Sequence, residues 1–194
     1  MSKTSILSSP SKFLDEWKQI TAPKLFLLTA PSGAGKTTWC LQLAKDAADV
    51  GIPVSGLCSP AIFEMEHKIA IDLLDLRTST RKRLATLKPE TSIGLATEHW
   101  LFDETTVQWG NSLLKRPEGF IDQARSENNP SGRDELFILD ELGPLELERN
   151  LGFTAAFPIL DARQHHLACV VVRPSLLSLA QTRWHWAEVL NLTS

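Results

Sequence analysis

The 194-residue chain contains no tyrosine, only two methionines and only three cysteines, and the cysteines are the most informative of these scarcities. Cys40, Cys58 and Cys169 are widely separated and odd in number, with no Cys-x-x-Cys pair and no histidine at ligand spacing. That pattern argues against a disulfide framework and gives no support to a structural zinc site. Three small buried hydrophobes in a reducing compartment are the expectation. Long apolar runs are also missing: nothing approaches the roughly 18 residues of a membrane span. The opening "MSKTSILSSPSKF" has neither the apolar stretch of a secretory signal nor the arginines of a transit peptide, so the expected location is the cytoplasm. Charge of one sign is lacking as well. Twenty Lys and Arg stand against 23 Asp and Glu, a net charge of −3, which makes nucleic acid an unlikely partner through overall charge and requires any anion site to be local. The length suits one domain over 1–194, with residues 1–10 read as a loose tail.

What the chain does have is "TAPKLFLLTAPSGAGKTTWC". Leu25-Phe26-Leu27-Leu28 is short, continuous and apolar, bounded by Pro23 and Pro31, and suits a strand buried on both faces. Ala30-Pro31-Ser32-Gly33-Ala34-Gly35 then carries almost no side-chain bulk, so its backbone N–H groups are free to close around an anion. Gly33 and Gly35 admit dihedrals other residues avoid, and Lys36 adds a mobile positive charge. Ala30 to Thr37 fits the phosphate-binding pattern G-x-x-x-x-G-K-[ST], with Ala30 in place of the first glycine. The setting is the one the pattern requires. A predicted strand precedes the loop, and "KTTWCLQLAKDAADVG" follows as a helix with Cys40, Leu41, Leu43 and Ala44 near helical spacing and Gly51 as its stop.

In that reading Lys36 contacts the β and γ phosphates, Thr37 ligates Mg²⁺, Thr38 touches the α phosphate, and the backbone of Gly33, Ala34 and Gly35 forms the cradle. Such a loop needs a carboxylate at the C-terminal end of a neighbouring buried strand. Leu136-Phe137-Ile138-Leu139 supplies the strand, Asp140 the metal-side carboxylate, and Glu141 a base to polarise the attacking water.

Elsewhere, "SKFLDEWKQI" places Phe13, Leu14, Trp17 and Ile20 on one face of a short helix that lids the core. "PVSGLCS" and "HKIAIDLLDL" read as strands of a side hairpin or meander. "WLFDETTVQWGNSLLKRP" reads as a short strand and a helix capped by Asp103 and stopped by Pro117, and "SENNPSGRDE" as a loop. "HLACVVVRP" gives another strand, and "RWHWAEVLNL" a last one with Trp184 and Trp186 on one face. Strands alternating with helices predict an α/β fold: a mostly parallel sheet with helices on both faces, of the P-loop NTPase type, with a small antiparallel addition.

"APSGAGKTTW", "GLCSPAIFEMEHKIAIDLLDL" and above all "FILDELGPLEL" resemble the small P-loop nucleoside-triphosphatases first known from thermophiles, also called the cancer-related nucleoside-triphosphatase family. The likeness runs from about Lys24 to Glu148. It implies Mg²⁺-dependent hydrolysis of the terminal phosphate of several NTPs, with the loop at Ala30 to Thr37 and the acidic strand end at Leu136 to Gly143. The extension before Lys24, the alanine opening the loop and the C-terminal third depart from the family's pattern.

The basic cluster Arg77, Arg81, Lys82, Arg83 and Lys88 in "RTSTRKRLATLK" reads as a solvated face or as the source of an arginine that reaches the γ phosphate. Arg173, at a strand's C-terminal end, is another such candidate. His165-His166 falls in a turn. Two other functions share the same loop: a small-molecule or nucleic-acid kinase with an arginine-rich lid, and a nucleotide-switched binding protein.

Overall fold

The computed structural model describes residues 4–6, 9–17, 20–91, 93–115, 135–163 and 165–192. Pro117, read as a helix stop, and nearly all of the loop 126–135 lie outside them. In chain order the elements are β1 (Thr4–Ile6), α1 (Pro10–Trp17), β2 (Lys24–Thr29), α2 (Lys36–Asp49), β3 (Val54–Cys58), β4 (Ala61–Glu64) and β5 (His67–Asp75). They continue with β6 (Arg81–Leu87), β7 (Trp100–Phe102), α3 (Glu104–Leu114), β8 (Leu136–Leu142), α4 (Pro144–Leu147), α5 (Ala156–Asp161), β9 (Leu167–Val172), a 3-10 turn at Pro174–Leu176, α6 (Leu177–Arg183) and β10 (Glu188–Asn191).

The strands form one sheet in the order β1-β10-β2-β9-β8-β3-β5-β6-β7, with β4 paired to β5. Every pairing from β1 to β3 is parallel, and β3 with β5, β4 with β5, β5 with β6 and β6 with β7 are antiparallel. This is the predicted architecture, a parallel sheet with an antiparallel addition.

β9 is apolar on every residue, and β2 and β8 are apolar along Leu25–Leu28 and Leu136–Leu139, because both faces of the sheet are covered there. Leu25 and Leu27, Phe137 and Leu139, and Ala168, Val170 and Val172 pack on one face with residues of α3, α5 and α6. Phe26 and Leu28, Leu136 and Ile138, and Leu167, Cys169 and Val171 pack on the other with Trp39, Cys40, Leu43 and Ala47 of α2. Phe13 of α1 lies edge-on to both Phe26 and Trp39, at 5.1 and 5.5 Å between ring centroids, so α1 does lid that face. The three cysteines are buried and free, as their spacing predicts. Asp103 caps α3, its carboxylate accepting the Thr106 N–H at 2.7 Å.

Three expectations need correction. Residues 1–10 are not all tail: Thr4–Ile6 pair with β10 and extend the sheet, and Pro10 begins α1. β3 is no side strand. It pairs in parallel with β8, and Gly56 makes this possible, since a Cβ there would sit 1.8 Å from the Ile138 carbonyl oxygen. The stretch "RTSTRKRLATLK" is a turn followed by β6; its five basic residues are exposed, as the reading of a solvated face expects, and Arg83 pairs with Asp72 at 2.7 Å. Finally, Trp184 and Trp186 precede β10. Trp184 ends α6 buried, donating its indole N–H to Asp161 at 2.8 Å, and Trp186 stacks with the Arg163 guanidinium at 4.0 Å.

Candidate active site

β2 delivers the chain to the loop Ala30–Gly35, and the two glycines take the conformations the loop demands, with φ at +79° for Gly33 and +82° for Gly35. A side chain at either position would be strained. Gly35 is the N-cap of α2 and offers no side-chain cap, which leaves first-turn N–H groups for an outside acceptor. Lys36 folds back over this loop. Its ammonium donates to the carbonyl oxygens of Ala30 and Pro31, each at 2.8 Å, and the side chain is nearly buried.

The acidic strand end lies across from it. β8 is not the hydrogen-bonded neighbour of β2, as the sequence reading assumed: β9 runs between them. Arg173, just past the C-terminal end of β9, lines the crevice together with Asp140 and Glu141 of β8, at the strand ends where open α/β sheets bind ligands. Asp140 nonetheless reaches the first turn of α2, accepting a hydrogen bond from the Thr37 hydroxyl and another from the Ser59 N–H at 3.3 Å. Burial pushes the Asp140 carboxyl up to about 6. The two hydrogen bonds and the Lys36 charge pull the other way, and the Glu141 charge adds to the rise.

Successive residues of a regular strand face opposite ways, so Asp140 and Glu141 should not share a site. A bulge resolves this. Leu139 pairs with Val170 and Leu142 with Val172, so β8 advances three residues while β9 advances two. The extra residue re-aims the chain, and both carboxylates line one crevice. Glu141 accepts a hydrogen bond from Arg173 Nε at 2.5 Å, with Arg173 standing at the end of β9 where the sequence reading put it.

Glu146 fixes the bend that follows. Its buried carboxylate accepts the N–H groups of Gly143 and Phe153, both at 2.9 Å, which ties the turn Gly143-Pro144 to the segment after α4. The glutamate of "GPLEL" is thus a structural clamp behind the site.

The crevice has a volume of about 130 Å³ and two unlike ends. Thr37, Ser59, Lys68, Asp140, Glu141 and Arg173 make the polar end. Lys68 enters from β5 with its ammonium 4.8 Å from the centroid of the Trp100 ring. Burial holds its pKa below the ordinary lysine value, with Arg173 adding to the fall and the two carboxylates opposing it. Apolar side chains from β5, β6, β7 and the segment after β8 make the other end.

Of the residues read as nucleotide-binding, Thr37, Asp140, Glu141 and Gly143 line this crevice, and the loop with Lys36 borders it through Thr37. Leu136, Phe137, Ile138, Leu139 and Leu142 do not: each is at most 3% exposed, and their side chains build the core on which the two acids stand. Arg81 and Arg83 are absent from the lining, as are His165, His166, Trp184 and Trp186. Lys68 and Ser59 were missed. Ser59 ends a strand at the crevice, a position β3's true place in the sheet would have exposed, whereas Lys68 has no signal in the sequence.

Compared with known proteins, residues 25–193 match the model of a family described as NTPase. The chain is 29% identical over 140 residues to the nucleoside-triphosphatase THEP1 of Methanopyrus kandleri, covering 72% of this chain and 69% of that protein. Among solved structures it is similar to a human cancer-related nucleoside triphosphatase, with a TM-score of 0.64 at 22% identity over 89% of this chain and 90% of the other. It is also similar to THEP1 from the hyperthermophile Aquifex aeolicus, with a TM-score of 0.56 at 12% identity over 87% and 88%.

Proposed function

Because the chain belongs to the NTPase family, we propose that it hydrolyses nucleoside triphosphates to the diphosphate and phosphate, with Mg²⁺ as cofactor and the residues Ala30–Thr38, Asp140 and Glu141 as its working parts. The observation that carries this reading is the meeting of Thr37, Asp140 and Glu141 in one crevice at the N-terminus of α2.

The loop's N–H groups and Lys36 hold the β and γ phosphates, which requires the Lys36 ammonium to leave the carbonyls of Ala30 and Pro31 for phosphate oxygens. Thr37 and Asp140 suit Mg²⁺ on two counts. Both offer hard oxygen donors, and Asp140 is a buried carboxylate whose raised pKa marks an anion short of positive charge. Among the described residues no cluster of three or more His, Cys, Asp or Glu could hold a metal, which accords with an ion that takes its other ligands from phosphate and water. Bound there, Mg²⁺ would offset the charge that gathers on the phosphate oxygens.

Glu141 orients the attacking water and takes its proton. It does this only once released from Arg173, and the incoming γ phosphate is the natural competitor for that guanidinium. Arg173 thereby serves as the arginine acting in cis, a role the positions of Arg81 and Arg83 do not favour. Substrates of several bases are expected. The three buried free thiols support a cytoplasmic setting, and the net charge of −3 argues against nucleic acid as partner. Among the described residues no helix is long and apolar enough to cross a membrane.

Phosphate release measured with each common NTP, in Mg²⁺ and in EDTA, tests the reading. Multiple turnovers in Mg²⁺ and none in EDTA are expected. No turnover in either would favour the nucleotide-switched binding protein.

A further inference from the structure

The apolar end of the crevice is more than hydrolysis needs. Ile71, Leu84, Trp100, Phe102, Leu145 and Phe153 wall a space that opens directly from Glu141, and the antiparallel strands β5, β6 and β7 supply four of the six. Ile71, Leu84, Leu145 and Phe153 are each 9% exposed or less, while Trp100 and Phe102 are partly open. Water is held by polar groups and gains nothing from such walls. The whole crevice, polar end included, has a volume of about 130 Å³, which limits the occupant of its apolar end to nothing larger than a single small ring.

In the assignment proposed above, this space begins at Thr37, Asp140 and Glu141, the metal and γ-phosphate end of the site, and so lies beyond the γ phosphate from the nucleotide's own base. Whatever fills it sits where the nucleophile sits.

We propose that this chamber is an acceptor subsite for a compound with a single planar ring and a short hydroxyl-bearing arm, to which the γ-phosphoryl group is transferred in competition with water. This rests on the assignment of nucleotide and Glu141 given above. Trp100 and Phe102 hold the ring, aromatic faces being suited to a planar partner. The arm points to Glu141. The acceptor oxygen forms a bond to the γ phosphorus as the bond from that phosphorus to the β,γ-bridging oxygen breaks. The nucleoside diphosphate leaves with the electron pair, and the hydroxyl proton passes to Glu141, giving a phosphate monoester. Hydrolysis is then the reaction of the empty chamber.

The test uses the full chain with Mg²⁺ and γ-labelled ATP, in the presence of benzyl alcohol, 3-(hydroxymethyl)pyridine or, as a ringless control, glycerol. The expected result is label in a phosphate monoester with at least one ring alcohol and only inorganic phosphate with glycerol. Trp100→Ala should lower monoester formation about tenfold, and Ile71→Phe, which fills the chamber, should abolish it; both should keep hydrolysis within about twofold of the parent. Retained hydrolysis also shows that each variant folds. Hydrolysis at the normal rate with no monoester from either ring alcohol overturns the acceptor subsite and leaves the hydrolase standing. Absence of both products overturns the hydrolase, and the subsite with it.

Discussion

Replacing Asp140 with asparagine should make the nucleotide-free protein more stable while destroying its response to magnesium nucleotide. Asp140 is 3% exposed, and burial raises its carboxyl from an ordinary value of 3.8 to about 6. A shift of that size corresponds to about 3 kcal/mol against the charged form. The native carboxyl binds its proton more tightly than the unfolded one, so its contribution favours the native state fully below about pH 4 and is lost as pH rises through about 6. Above that, the parent bears the buried anion and the amide variant does not. Asparagine keeps one acceptor oxygen for Thr37 or Ser59 and forfeits the other bond, at about 1 kcal/mol. The net gain for Asp140→Asn is about 2 kcal/mol, or about 4–8 °C in Tm for a chain of this size. Thermal unfolding in EDTA should show this gain at about pH 7.5 and little of it at about pH 4.5. With MgATP the ranking should reverse, because the parent gains Tm and the variant does not. A variant equal to or less stable than the parent at the higher pH in EDTA would refute the claim that this carboxylate lacks a compensating charge.

Further expectations follow from the same contacts. Glu146→Ala leaves the buried N–H groups of Gly143 and Phe153 without acceptors and should cost about 2–4 kcal/mol in urea unfolding; a cost below about 0.5 kcal/mol would remove its role as a clamp. Gly56→Ala forces a Cβ to within 1.8 Å of the Ile138 carbonyl oxygen, so little soluble folded protein is expected, and normal yield with a parental Tm would contradict the close approach of β3 and β8. Arg173→Ala should lower kcat by at least about a hundredfold with KM changed far less, whereas a parental kcat would reduce Arg173 to a counter-charge for Glu141.

The strands and the loop were legible because their signals are local. Leu25–Leu28, Leu136–Leu139 and Cys169–Val172 are continuous apolar runs, which only strands covered on both faces can carry. Gly33, Gly35 and Lys36 announced an anion site through backbone freedom and charge within a few residues. What stayed hidden depends on contacts distant in sequence. Four Lys and Arg fall between Arg77 and Arg83 at or just before the start of β6, so its pattern reads as surface, and pairing with β5 and β7 makes it a strand. The order β2-β9-β8 cannot be read from either motif alone, nor can the bulge that turns Asp140 and Glu141 to the same crevice. Lys68 reaches the site because β5 folds across the end of β3, a placement no neighbouring residue announces.

The most direct test of the proposed chemistry is Glu141→Gln, with MgATP binding followed by calorimetry and turnover by phosphate release on the same preparation. Affinity within about threefold of the parent and turnover lower by about a hundredfold or more are expected, as for loss of a general base. Hydrolysis by the variant at the parental rate, with binding intact, would contradict the role given to Glu141.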